Sequence, residues 1–221
     1  MNEPAELPRE AVLTELPVAD WHGPFAEDAR ETARSALERG RVLFFPRLAF
    51  HPTEAELPLL KPDAAGGARK NISLDPQKGA AQNLGLEADE AARLTAMVDR
   101  FGQAAARLLA DLLPGYGPHL ERARTSFRPA EIAGRAYSPR HDDRLLHVDA
   151  FPTRPMHGRR ILRLFANIAP DGAPRLWRVG EDFGSFARGF APLVRPALPG
   201  SARLLQLAGL TKARRSPYDQ M

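Results

Sequence analysis

The chain reads as an α+β fold, with helices first and short strands after, on three observations. Two segments, 25–39 and 88–113, repeat apolar residues at intervals of three or four, the period of a helix with one buried face. After Tyr116 the period changes to alternation, in short runs divided by Pro, Gly and Asp. The 221 residues, 43% of them hydrophobic, suffice for one substantial core, so a single domain over 1–221 is expected. Its parts are an extended arm at 1–24, a mainly helical stretch at 25–115, a β-rich core at 116–180 and a helical end at 181–221.

The arm is punctuated by proline, carries one short strand around 12–16, and closes at Trp21 and His22. In the helix of 25–39, alanines and Leu37 recur among charges, and Gly40 follows where a left-handed residue ends a helix. Residues 41–45, RVLFF, form a buried strand stopped by Pro46. Residues 46–86 hold Pro, Gly, Asp and Asn in quantity and are expected to be a long, partly ordered loop region. In the helix of 88–113, Leu94, Met97, Phe101, Ala105, Leu108 and Leu112 trace a face about 39 Å long at the standard rise, with Arg93, Asp99, Arg100 and Arg107 opposite. That helix should lie outside a sheet, and Pro114 with Gly115 stops it.

Strands are expected at 122–128, 131–137, 145–149, 159–168 and 174–179, giving a β-sandwich or barrel braced by the amino-terminal helices. In 159–168, Leu162, Leu164, Ala166 and Ile168 share one face, while Arg163, Phe165 and Asn167 share the other, which is polar enough to line a cavity. Phe165 and Trp177 read as core residues. Helical character returns at 181–190 and 200–213.

Composition excludes several chemistries. With no cysteine there can be no disulfide, thiolate metal site, iron–sulfur cluster or cysteine nucleophile, so any metal uses nitrogen and oxygen ligands. The acidic, proline-containing start lacks a signal peptide's basic and apolar regions, and no apolar run approaches the roughly 20 residues of a membrane span. A soluble, cytoplasmic protein is expected, at most peripheral on the inner membrane's cytoplasmic face. Thirty-one Lys and Arg against 27 Asp and Glu leave a net charge of +4. Arginine outnumbers lysine throughout, which suits carboxylate and phosphate partners; codon usage favouring Arg and Ala accounts for the same composition without any partner.

The stretch 138–155, SPRHDDRLLHVDAFPTRP, carries the sharpest chemical signal. His147 and Asp149 stand two apart among Leu145, Leu146 and Val148, so in a strand both project to one side. An imidazole and a carboxylate so placed are half of a facial iron site, which a second imidazole completes, leaving positions open for co-substrate and oxygen. Such a pair is common by chance, but no rival constellation competes: the sequence has no GxSxG elbow, Walker loop or GxGxxG after a strand. In a separate segment, Arg69, Lys70, Asn71 and Ser73 pair cations with amide and hydroxyl groups that suit an anionic ligand, although a solvated loop explains them as well.

Five ordered blocks make the reading more specific: RVLFFPRLAF at 41–50, RKNISLD at 69–75, TSFRPAEIAGR at 125–135, DDRLLHVDAFPTRP at 142–155 and PRLWRVGEDF at 174–183. In this order they resemble the Kdo hydroxylases, Fe(II)- and 2-oxoglutarate-dependent dioxygenases that hydroxylate C3 of the 3-deoxy-octulosonic acid sugar in the lipopolysaccharide inner core. The resemblance implies a distorted double-stranded β-helix, or jelly roll, with the amino-terminal helices packed outside. It makes His147 and Asp149 catalytic metal ligands, with Fe(II) as cofactor and 2-oxoglutarate and O2 as co-substrates. Arg135, Arg163 and Asn167 are the candidates for holding 2-oxoglutarate. Arg69, Lys70, Arg128, Arg140 and Arg154, joined by Arg160, are candidates for a basic mouth facing a glycolipid on an anionic membrane surface. Nucleic acid is not an expected partner.

One departure stands out. Proteins of the family continue past the position of Met221 through further helix and strand, which supply the second histidine and a basic residue for the far carboxylate of 2-oxoglutarate. The other histidines here are His22, His51, His119, His141 and His157, none in the expected late strand; His157, ten residues past His147, falls in the turn after it. A truncated chain lacking closing strands, with a weak two-ligand site, is therefore the expectation. The competing readings are an inactive fragment of the dioxygenase, another oxygenase of the same architecture, and a non-catalytic basic protein binding anionic glycolipid or nucleic acid. Salt-sensitive DNA binding without 2-oxoglutarate turnover would mark the last.

Overall fold

In the computed structural model, which describes residues 9–60, 71–79, 81–82, 86–129, 153, 155–175, 177, 179–194 and 197–216, the longest element is a 25-residue helix, Ala88–Leu112. Residues Arg9–Val12 form α1 and Leu13–Glu15 β1; Glu27–Glu38 form α2 and Val42–Phe44 β2. Ile72–Leu74 and Ala81–Gln82 are β3 and β4, the long helix is α3, and Thr125–Phe127 is β5. Phe183–Phe190 and Ser201–Leu207 are α4 and α5. The composition is thus α+β with few strands. The chain divides into two compact units, Met1–Gly134 with Phe165–Leu176, and Arg135–Leu164 with Trp177–Met221.

In the first unit α3 packs on an antiparallel sheet of order β4-β3-β5, with Ile72 opposite Phe127 and Leu74 opposite Thr125. Of the helical face read from the sequence, Leu94, Met97, Leu108 and Leu112 are buried and Phe101 and Ala105 half-buried, and Val98 beside them is buried as well. Ile72, Leu74 and Phe127 meet Leu94, Met97 and Val98 in one core with Phe50, Leu59 and Leu60. This corrects the loop expected over 46–86. All three residues of β3 are buried, and a run buried on both faces shows no alternation to betray it. Trp21, Phe50 and Phe101 add an edge-to-face trio with ring centroids 5.2–6.1 Å apart, the geometry that ring quadrupoles favour. The indole Nε1 donates to the Ala49 carbonyl at 2.8 Å, joining the arm to the core. Arg100 lies 4.5 Å above the Phe50 ring and pairs with the buried Glu56 carboxylate at 2.5 Å. That same carboxylate also accepts from the Thr53 amide, so the buried charge is compensated.

A second pair of strands, β1 and β2, is parallel, and α2 supplies the crossover such a pair requires. The helix ends in a Schellman motif: Gly40, at φ 74°, donates to Leu37, and the Arg41 amide donates to Ala36. Two expectations are corrected here. The arm is not wholly extended, because α1 occupies 9–12. The strand at 41–45 is shorter and not buried: Val42 is 43% and Phe44 41% exposed, since a two-stranded sheet leaves part of each strand uncovered.

The expected strands at 131–137 and 145–149 lie outside the described residues. The segment 159–168 forms no ladder, yet exposure alternates residue by residue along 161–168, so the faces were read rightly. Ala166 and Ile168 pack against the core of the first unit. The described residues of 174–179 likewise form no strand. Phe165, 55% exposed, and Trp177, 60% exposed, are not core residues as expected. For Phe165 the alternation itself is the reason, because its neighbours Leu164 and Ala166 take the covered side. No helix among the described residues is long and apolar enough to cross a membrane.

In the second unit α4 starts on an N-cap: the Asp182 carboxylate accepts from the Ser185 amide at 2.9 Å and from its hydroxyl at 2.5 Å. The Ser185 hydroxyl and then its amide hold the Asp182 carboxyl below its ordinary 3.8. A lowered folded value means that the cap stabilises the helix above the ordinary carboxylate pKa and is lost as pH falls through the folded one. Amide-exchange protection at Ser185 and Phe186 should therefore decline on acidification through that window, and Asp182→Asn should remove the pH dependence.

A second test concerns Gly102, inside α3. A Cβ there would lie 2.3 Å from Nη2 of Arg122 and 2.5 Å from Oγ1 of Thr125. Arg122 crosses the helix at this point to pair with Asp99 at 2.7 Å. Gly102→Ala should incur an overpacking cost of about 1–3 kcal/mol, against the roughly 1 kcal/mol that alanine gains in helix propensity. Urea unfolding should show a net loss of stability; a net gain would mean that Arg122 moves aside freely.

Candidate active site

The two candidate iron ligands, His147 and Asp149, lie outside the described residues, as do Arg69, Lys70, Arg135, Arg140 and Arg154. The described chain nevertheless fixes the segments around them. Downstream, the amide of Arg159 donates to the Met156 carbonyl at 3.0 Å, with His157 at φ 52° and Gly158 at φ 78° between them. Two left-handed central residues under such a bond define a type I′ turn, whose twist suits a tight chain reversal. His157 occupies this exposed turn, as the sequence placed it, in a conformation that non-glycine residues seldom adopt.

Arg163 and Arg128 are both exposed, with Arg128 directly following β5. Asn167 is committed to its own loop. Its Nδ2 donates to the Ala173 carbonyl at 2.8 Å, and its Oδ1 accepts from the Ala169 amide at 3.2 Å. With both ends of the amide engaged, Asn167 closes the 169–173 turn and is joined to none of the candidate cations. Asn71 and Ser73, from the expected anion-binding segment, sit at and in β3, where Ser73 is buried.

The chain after α5 is a feature the sequence reading passed over. The backbone amide of Lys212 donates to the Thr153 carbonyl at 3.0 Å. Thr153 is four residues past Asp149 in the sequence. The basic run Lys212, Arg214, Arg215 was visible, but its partner segment is nearly 60 positions away, and no local pattern links the two.

For iron, donor chemistry is the available test. The chain has no thiolate to offer, and an imidazole two residues from a carboxylate matches a facial triad's nitrogen and oxygen donor types. Among the described residues there is no group of three or more His, Asp or Glu that could hold a metal ion. The His51 carbonyl accepts from Arg100 at 3.1 Å.

Comparison with known proteins adds to this geometry. A family model described as 3-deoxy-D-manno-oct-2-ulosonic acid (Kdo) hydroxylase matches residues 20–221. The structure is similar to the Kdo hydroxylase KdoO, a non-heme Fe(II) alpha-ketoglutarate dependent dioxygenase, in complex with alpha-ketoglutarate and Fe(III). The TM-score is 0.86 at 41% identity, over 94% of this chain and 69% of that one. The cobalt(II) complex gives 0.86 at 42% over 94% and 69%, and the apo structure 0.87 at 42% over 94% and 70%. No curated protein matches.

The turn assignment of His157 is testable by substitution. Asparagine tolerates the left-handed region and favours type I′ turns before glycine. His157→Asn should leave Co(II) affinity unchanged and raise stability by up to about 1 kcal/mol; a large loss of metal affinity would make His157 a ligand instead.

Proposed function

The chain belongs to the Kdo hydroxylase family, and from that premise we propose that it is an Fe(II)/2-oxoglutarate-dependent dioxygenase that hydroxylates C3 of Kdo in the lipopolysaccharide inner core. The observation that carries this reading is 41% identity, over 94% of the chain, to a relative solved with alpha-ketoglutarate and Fe(III). The HxD pair supports it independently, since its spacing and donor types fit the iron that such an enzyme requires.

His147 and Asp149 would hold the metal, and Arg135 and Arg163 are the candidates for the 2-oxoglutarate carboxylates. Asn167 is the weakest member of that set, because its amide is spent on the 169–173 turn. Iron with 2-oxoglutarate supplies, when bound, the power to activate dioxygen and oxidise a C–H bond. The rest falls to the protein: placing the sugar carbon at the metal, excluding water and neutralising the acceptor's charge. Arg69, Lys70, Arg128, Arg140, Arg154 and Arg160 are the candidates for that last task, the exposed Arg128 and Arg160 among them. A double-stranded β-helix core is the architecture in which His147 and Asp149 would share one strand face. A glycolipid acceptor also calls for peripheral contact with an anionic membrane surface on its cytoplasmic side.

Under anaerobic conditions, Fe(II) and 2-oxoglutarate should give the metal-to-ligand charge-transfer band of a chelated 2-oxo acid. His147→Ala and Asp149→Ala should each weaken iron binding by at least about tenfold, since loss of outer-shell partners alone costs that much. No band in the unaltered protein would overturn the oxygenase reading. A band indifferent to both substitutions would move the metal site elsewhere.

A further inference from the structure

We propose that the segment following α5, with Lys212 and Arg214 as its exposed cations, recognises the phosphate or carboxylate groups of the anionic glycolipid acceptor. The proposal deepens the hydroxylase reading and rests on it for the identity of the acceptor.

The backbone of this segment is fixed at three successive points. First, α5 ends in a Schellman motif: Gly209, at φ 70°, donates to the Gln206 carbonyl at 3.0 Å, and the Leu210 amide donates to Leu205 at 2.9 Å. That motif sets the direction in which the chain leaves the helix. Second, Thr211 is only 4% exposed, within a unit where most side chains of α5 and its flanks face solvent. Third, the Lys212 amide is tied to the Thr153 carbonyl. Beyond the tie, exposure alternates, with Thr211 buried, Lys212 exposed, Ala213 half-buried and Arg214 exposed. The two cations are therefore the exposed side chains of a segment whose backbone is anchored. No carboxylate among the described residues pairs with either of them.

Position gives the cations their task. Thr153 is four positions after Asp149, so chain connectivity alone keeps the anchor within about 14 Å of that candidate ligand. A headgroup of sugar and phosphate bridges such a distance with its target carbon at the metal and its anionic groups further out. With the backbone already anchored, only the two side chains remain to be ordered on binding, and charge-assisted hydrogen bonds from Lys and Arg to phosphate or carboxylate are the strong ones. A mobile basic tail would attract the same anions without fixing the register of the sugar.

The double variant Lys212→Gln/Arg214→Gln, made in the full chain, tests this. Binding to micelles of Kdo-bearing lipid A, without metal, should weaken by at least about tenfold, the loss of two charge-assisted contacts, and its salt dependence should flatten. The charge-preserving exchange Lys212→Arg/Arg214→Lys should restore binding, which separates lost recognition from lost folding. Phosphatidylglycerol vesicles lacking Kdo form the second arm. If the double variant loses affinity for these as well, the segment reads lipid phosphate; if the loss is confined to the Kdo lipid, it reads the sugar-bearing headgroup. Equal binding of variant and unaltered protein to the Kdo lipid would overturn the proposal. So would failure of the charge-preserving exchange to rescue. The charge-transfer band is read on the same proteins: its absence throughout would sink the oxygenase reading while the micelle result still decides the role of the segment.

Discussion

The first unit depends on burying a three-residue strand on both of its faces. Ile72 and Leu74 are almost wholly inaccessible beneath Leu94, Met97 and Val98 of α3, and Ser73 between them is buried too. Each large apolar side chain so covered contributes on the order of 1.5–3 kcal/mol. Because β3 is the middle strand, it also holds β4 and β5 in place. The packing of β5 on α3 brings Arg122 across Gly102 to Asp99, and the Trp21–Phe50–Phe101 trio draws the amino-terminal arm onto the same core. Sheet, long helix and arm thus share one set of contacts.

The parts of this arrangement that were legible in the sequence are those with a period. Both long helices announce themselves by apolar spacing, and the first also by Gly40, whose left-handed conformation completes a Schellman motif. The alternation along 161–168 correctly divides its faces even though no ladder forms there. What lacks a period was lost. Ile72–Leu74 is too short and too uniformly buried to alternate, and it sits among Pro, Gly and Asp that read as loop. Trp177 and Phe165 looked like core because large aromatics usually are, yet both are exposed.

The candidate site divides along the same line. The spacing of His147 and Asp149 is a local fact that any reading of the chain finds, and family membership gives it chemical meaning. The other candidates depend on tertiary placement. In the sequence Asn167 offers a ligand both a donor and an acceptor, but in the fold both are spent across the 169–173 turn. Nothing local marks out Lys212 and Arg214; the bond from the Lys212 amide to the Thr153 carbonyl does. Arginine-rich composition alone could not rank these cations, because it is spread over the whole chain.

The central claim is that this fold places a Kdo sugar at an iron site and oxidises it at the expense of 2-oxoglutarate. In that reaction one atom of dioxygen enters the sugar and the other enters succinate, with carbon dioxide released. The most direct measurement is mass spectrometry of a Kdo-bearing lipid A after incubation with the protein, Fe(II) and 2-oxoglutarate under isotopically heavy dioxygen. The account predicts a single heavy oxygen atom on the Kdo sugar, with succinate formed in step. Unmodified sugar alongside folded, iron-loaded protein would contradict it.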